Sequence, residues 1–306
     1  MNTKEKLTKI FNSSKMINFN DQDKIIIMSD CHRGNGSRGD DFYKNRNIFM
    51  AALRYYYINN YIYIELGDGD ELWEYRCLKQ IIENYKDVFS LMAMFYQKNR
   101  FYMLYGNHDI VKKDKKLRNS VMDYCYDEIR DEFITLFPNI NIEEGLILQY
   151  DKTKDEMLLT HGHQGDFLND KIWKVARFLV RYVWHPLELI GINNPTSAAT
   201  NDRKKLIVET NLIDWVKENK KMLIVGHTHK PEMPNVNEPL YFNDGCCVHP
   251  EYITGIEITN GSISLVKWSV KTKEDRTLFV NKDTLKGPVK LKRYFNSKYN
   301  KKEITK

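Results

Sequence analysis

The sequence predicts an α/β fold, and three observations carry that prediction. Five short apolar runs, rich in β-branched and aromatic residues, have the length of buried strands. Helical periodicity fills the intervals between them, which is the alternation of an α/β core. A two-residue hairpin signal follows near the end of the chain.

The runs are Lys24–Ser29, Tyr61–Leu66, Phe101–Tyr105, Met157–Thr160 and Met222–Val225. Helices are expected over Asn47–Ile58, over Leu72–Gln97 as one or two segments, and over Leu206–Val216. Tyr252–Thr259 and Ser262–Val270 flank Asn260-Gly261, the residue pair that a tight hairpin turn prefers. No linker-like break precedes Trp268. One domain is therefore expected over 24–270, after a short segment 1–23 and before a basic tail 271–306.

Composition narrows the class. The 306 residues are 42% hydrophobic and 29% charged, too apolar for a disordered chain. No run approaches the ~18–20 apolar residues of a membrane span. The first twenty residues lack the apolar block of a secretory signal, so a cytoplasmic location is expected. Five cysteines without CxxC pairing read as free thiols and argue against a cysteine-ligated zinc. The net charge of +6 is concentrated at the end, where 271–306 holds twelve Lys or Arg against four Asp or Glu. Such a segment is a solvated end, or a contact for nucleic acid or for a peripheral anionic membrane surface.

The chemistry lies at the ends of the five runs. They lead into Asp30-Cys31-His32, Gly67-Asp68-Gly69-Asp70-Glu71, Gly106-Asn107-His108-Asp109, His161-Gly162-His163 and Gly226-His227-Thr228-His229. Singly, each is an ordinary turn. Together they place ligands at the carboxyl ends of strands, where open α/β sheets form their crevices. Asp, Asn and His without Cys suit Mn, Fe, Zn or similar divalent ions. Two such ions about 3.5–4 Å apart would clamp the attacking and leaving oxygens of an in-line phosphoryl displacement.

The order D-x-H, GD-x-x-E, GNHD, H, GH-x-H resembles the calcineurin-like metallophosphoesterases, matched from Asp30 to His229. The resemblance implies a four-layer αββα sandwich of two mixed β-sheets flanked by helices, and the residue pattern between the fourth and fifth motifs adds a helical insertion. It implies two divalent metal ions, Mn first, with Fe, Zn, Co or Ni as alternatives. Asp30, His32, Asp68 and His229 would hold one ion. Asp68, Asn107, His161 and His227 would hold the other, with Asp68 bridging. The reaction would be hydrolysis of a phosphodiester or pyrophosphate by a metal-bridging hydroxide. His108 would protonate the leaving oxygen, oriented by Asp109. Glu71, Trp73 and Asn243-Asp244-Gly245 are similar to the UDP-2,3-diacylglucosamine pyrophosphatase branch, although that branch often has Arg at the position of His108. A nucleotide-sugar or lipid-linked small phosphorylated substrate would follow. A nuclease or protein phosphatase on the same fold is the alternative, and a non-catalytic scaffold is a third reading.

Other residues are placed from the sequence alone. Glu71 is expected as a hydrogen-bond acceptor behind the ligands, and His163 as a similar partner or a substitute for His161. Arg33 and Arg38, around a Gly-rich loop, would grip a substrate phosphate or belong to the loop surface. Over Lys171–Val183, an apolar face adjoins a basic stripe of Lys174, Arg177 and Arg181. The segment 166–202 is then a cap whose cations meet phosphate, or a core helix with a solvated charged face.

Overall fold

A computed structural model describes residues 2–37, 39–128, 131–166, 173–184 and 202–297. All five apolar runs are strands: β2 (Ile25–Met28), β3 (Ile62–Leu66), β4 (Phe101–Leu104), β9 (Asp155–Thr160) and β10 (Met222–Val225). The first three are neighbours in a seven-stranded mixed sheet. It also takes in β7 (Ile142–Glu143), β12 (Tyr252–Thr259), β13 (Ser262–Thr272) and β14 (Leu278–Lys290), in the order β14-β13-β12-β2-β3-β4-β7. The last two runs lie in a five-stranded mixed sheet, β1-β8-β9-β10-β11, with β1 (Lys15–Phe19), β8 (Gly145–Tyr150) and β11 (Tyr241–Asn243). Strands β2, β3 and β4 run parallel, as do β9, β10 and β11. Helix α5 (Lys115–Val121) precedes strands β5 (Tyr124–Asp127) and β6 (Glu132–Thr135), which among the described residues pair only with each other.

Strand periodicity divides the interior into two cores. Ile26 and Met28 join the helices α2 (Arg46–Ile58), α3 (Leu78–Asn84) and α4 (Lys86–Gln97) in one apolar cluster. Ile25 and Ile27, pointing the other way, join Leu146, Leu158 and Ile224 of the second sheet in the other. That second cluster also includes α1 (Thr3–Ser13) and α7 (Asp202–Asn219), through Leu7, Ile10, Leu212 and Trp215. Each such side chain, withdrawn from water, stabilises the fold by about 1.5–3 kcal/mol. The expected stretch Leu72–Gln97 begins as a loop and turns helical only at Leu78, with a break at Tyr85. The Asn260-Gly261 turn has positive φ at both residues, 51° and 63°, as a type I′ hairpin requires.

Strand pairing extends past both expected boundaries. The segment 1–23 contains α1, and its strand β1 pairs in parallel with β8, so it is the edge of the second sheet. Position 270 falls inside β13, and β14 pairs with β13 from Ser262↔Lys290 to Thr272↔Leu278. Helix α8 (Leu291–Phe295) then buries Leu291, Tyr294 and Phe295 in the second core. The basic stretch is therefore integral as far as Ser297, because its apolar residues alternate with the lysines that hide this role. Residues 298–306 lie outside the described set. Between the fourth and fifth motifs stand α6 (Trp173–Leu179), continued by a π-helical turn Val180–Trp184, and α7; residues 167–172 and 185–201 are outside the described set. Among the described residues no helix is long and apolar enough to cross a membrane.

Candidate metal centre

Every cluster follows the C-terminal end of its strand, so the two sheets deliver their donors to one place. Asp30 and His32 come from β2, Asp68 from β3, and Asn107 with His108 from β4. The other sheet contributes His161 after β9, and His227 with His229 after β10. Asp30, His32, Asp68, His227 and His229 all have φ between 47° and 68°, a left-handed backbone that side chains other than Gly seldom adopt. Such strain clusters where geometry is over-determined for a task. Glycines make room for the carboxylates. A Cβ on Gly106 would overlap Asp68 Oδ1, and one on Gly226 would strike Ser29 Oγ.

Two groups of donors form side by side. In one, His229 Nε2 lies 3.0 Å and His32 Nε2 3.6 Å from Asp30 Oδ1. In the other, His161 Nε2 lies 3.0 Å from Asp68 Oδ2, with His227 alongside. His32 Nε2 is 4.0 Å from the same Asp68 oxygen, so Asp68 stands between the groups. The rings are held from behind. His161 Nδ1 donates to Leu66 O at 3.0 Å, which turns Nε2 inward, and His32 Nδ1 is 2.9 Å from Glu71 Oε2.

The donor set fits divalent cations. Asn107 is fully buried, yet neither its Oδ1 nor its Nδ2 has a hydrogen-bond partner. The same is true of His32 Nε2 and His227 Nε2. Leaving buried polar atoms unpaired is costly, and a cation among them would satisfy Asn107 Oδ1 and the two ring nitrogens. The charge balance agrees. Burial works against ionising Asp68, but His161, His108 and His32 hold its carboxyl well below the usual range. Burial also works against protonating His161 and His229, yet Asp68 and Asp30 push them up to about 9 and about 10. The centre thus demands positive charge, which protons or metal ions supply. Burial, with His161 nearby, keeps His227 and His163 below the usual imidazole range, in the neutral form that ligates.

His108 sits at the rim. Its ring stacks on Trp73, with centroids 4.3 Å apart, and its Nδ1 is 2.6 Å from Glu71 Oε2. Asp109 does not orient it, contrary to expectation. Its Oδ1 accepts from Gly106 N at 2.7 Å, and its Oδ2 from Gly69 N at 3.1 Å and from Lys112 Nζ at 2.7 Å. The carboxylate is committed to backbone and lysine, and Glu71 takes the place beside the imidazole.

The arginines also require correction. Arg33 is fully buried, bidentate to Glu65 at 2.7 and 2.9 Å and bonded to Asp70 Oδ1 at 2.7 Å, so it cannot grip substrate. Arg181 donates to Trp73 O at 2.7 Å and Leu72 O at 2.8 Å, which latches the π-helical turn onto the loop bearing Trp73. Burial, then the neighbouring Arg177 and Arg76, holds Arg181 below its usual pKa. Arg38 and the side chain of Lys174 lie outside the described residues and side chains. His163 is buried with its ring 5.7 Å from that of His161 and 6.5 Å from that of His227, behind the second donor group.

The sequence singled out Trp73 and Asn243 by resemblance but not what they hold, and it did not name Asp166. Trp73 Nε1 donates to Asn107 O at 2.6 Å and fixes that loop. Asn243 donates to Gly226 O at 2.8 Å and Thr228 Oγ1 at 3.0 Å, bracing the loop that carries His227 and His229. Asp166 Oδ2 lies 3.7 Å from His227 Nε2. No local signal marks these contacts: Asn243 is the last residue of β11, and Trp73 and Asp166 lie on loops.

The calcineurin-like phosphoesterase family model matches residues 23–231. No curated protein sequence matches the chain. Among solved structures, Vps29 of Chaetomium thermophilum is similar at 10% identity and a TM-score of 0.38, over 87% of this chain and 96% of that one. A Staphylococcus aureus protein assigned as a 5′-nucleotidase, solved with alpha-ketoglutarate, is similar at 13% identity and a TM-score of 0.33, over 87% of this chain and 54% of its own. The family match spans more than half of the chain and runs through all five strand-end clusters, so the chain belongs to the calcineurin-like phosphoesterases, metal-binding hydrolases of phosphoric esters.

Proposed function

We propose that this chain is a dinuclear metal-dependent hydrolase of a phosphodiester or pyrophosphate bond in a small substrate, with nucleotide-sugars and lipid-linked phosphates as the first classes to try. The observation that carries the proposal is a pair of adjacent donor groups, with Asp68 in one and its Oδ2 4.0 Å from His32 of the other. Asp30, His32, Asp68 and His229 would hold one ion, and Asp68, Asn107, His161 and His227 the other. Nitrogen and oxygen donors without thiolate suit Mn first, then Fe, Zn, Co or Ni. When bound, the ions supply Lewis acidity and a nucleophile at neutral pH.

The chain's own residues do the rest. His108, clamped between Trp73 and Glu71, presents its free Nε2 as the proton donor to the leaving oxygen. Arg76, Arg177 and Arg181 gather by the Trp73 loop, which supports a substrate with a second anionic group beyond the scissile one.

Elemental analysis and a hydrolysis panel test the proposal: bis-p-nitrophenyl phosphate, nucleotide-sugars, cyclic nucleotides, RNA and phosphopeptides, each with added Mn. Two metal equivalents and turnover of small diesters or pyrophosphates are expected. Preference for RNA or phosphopeptide would favour the nuclease or protein phosphatase reading. Asp68→Asn replaces two anionic oxygens by one neutral one, so metal content and activity should fall together. Two retained equivalents with full activity would remove Asp68 from the shared position.

A further inference from the structure

Beneath the centre runs a chain of charged side chains that takes two carboxylates from the strand-end motifs and ligates with neither. Arg33, Glu65, Asp70, Asp109 and Lys112 are all fully buried. Arg33 pairs with Glu65 and with Asp70, and Lys112 Nζ lies 2.6 Å from Asp70 Oδ2 and 2.7 Å from Asp109 Oδ2. Two cations thus face three carboxylates. Buried ion pairs contribute little net stability, since apolar side chains of the same volume often do as well. Their placement is more telling. Asp109 ends the chain by accepting from the backbone of Gly69 and Gly106, the residues directly after Asp68 and directly before Asn107.

The three ligand loops are not held alike. Backbone bonds zip the first to the second: Asp30 N to Gly67 O at 3.1 Å, His32 N to Asp68 O at 3.0 Å and Arg33 N to Gly69 O at 3.0 Å. Among the described residues no backbone-to-backbone bond joins the third loop, at Gly106–Asp109, to the second. Side chains make that connection, through Trp73, Asp68 and the carboxylate of Asp109. Asp109 can span the gap only while something fixes its carboxylate, and Lys112 does so.

We propose that Lys112, with Asp70 as the joint, is a positioning residue that sets Asn107 against Asp68. This rests on the dinuclear reading, and it concerns the ion between Asp68, Asn107, His161 and His227. The other ion would take Asp30, His32 and Asp68 from the two loops zipped by backbone and His229 from the second sheet, and so would depend less on Lys112. Outer partners of metal ligands typically influence affinity by about 10–100-fold.

The test uses the full-length apoprotein, Mn2+ alone, calorimetric titration and electron paramagnetic resonance. Wild type, Lys112→Met and Asp70→Asn are compared. Asp70→Asn leaves Lys112 with Asp109 and Arg33 with Glu65, one carboxylate for each cation, so it keeps the fold even where Lys112→Met does not. The wild type should bind two ions and show the signal of an exchange-coupled pair. Each folded variant should keep one tight site, weaken the other by about 10–100-fold and lose the coupled signal at stoichiometric metal. Fewer than two ions in the wild type would sink the dinuclear reading and this inference with it. Two ions in the wild type, with unchanged affinities and coupling in Lys112→Met, or in Asp70→Asn where Lys112→Met does not fold, would overturn positioning by Lys112 through Asp70 and leave the dinuclear reading standing. Equal weakening of both sites would do the same, since it would mark a general loosening.

Discussion

Replacing His108 by Asn should leave both metal equivalents in place and lower kcat by about 10²–10⁴-fold on a substrate with an alkoxide leaving group. The loss on a p-nitrophenyl ester should be much smaller, because p-nitrophenolate departs without a proton. The expectation follows from the rim position of the ring. Trp73 and Glu71 fix its plane and its Nδ1 side, while Asp68 accepts the His108 backbone N–H at 2.8 Å. Asn cannot donate a proton as an acid, yet it preserves that backbone bond. Equal losses on both substrates would assign His108 to electrostatic stabilisation of the phosphoryl oxygens. Loss of one metal would make it a ligand, through the neighbouring group of His32, Glu71 and His108.

Truncation after Val270 should yield a chain that fails to fold, read by circular dichroism and by loss of all hydrolysis. The cut removes β14 and strips β13 of one of its two partners. It also removes Lys282, whose Nζ lies 2.8 Å from Glu257 Oε1. Glu257 is buried and otherwise accepts from Tyr56 OH, so losing the cation costs about 3 kcal/mol. Leu291, Tyr294 and Phe295 leave the second core, at about 2 kcal/mol each. A domain stable by about 5–15 kcal/mol does not survive such losses together. A soluble, active 1–270 fragment would show that the sheet tolerates its new edge. Lys282→Met is the finer probe, and it should lower the melting temperature without touching the centre.

These outcomes also mark what the sequence carries. Strand-end clusters were legible because a buried strand leaves an apolar run and its ligands follow within a few residues, as in Met222–Val225 before Gly226-His227-Thr228-His229. The family match over 23–231 spans all five of these clusters. Long-range pairings left no such trace. Arg33 beside a ligand looks like a substrate contact until Glu65 and Asp70 are found on it, and both arrive from another strand and loop. Asp109 follows His108 in sequence, yet the turn sends its carboxylate to Gly69, Gly106 and Lys112. Strand β14 was obscured because it is an edge strand, where lysines face solvent and dilute the apolar alternation. Adjacency in sequence and adjacency in space part company at such turns.

The origin of the donors has a mechanical consequence. Asp30, His32, Asp68 and Asn107 hang from one sheet, and His161, His227 and His229 from the other. Ions held by both sets would rivet the sheets together at one end of their interface, while the apolar contacts of Ile25, Ile27, Leu158 and Ile224 act along its length. Chelation would then do more than silence chemistry. It would free the two halves to shear against each other at that end, with the left-handed loops relaxing first. Amide exchange in the loops after β9 and β10 would quicken on chelation well before the strands themselves open.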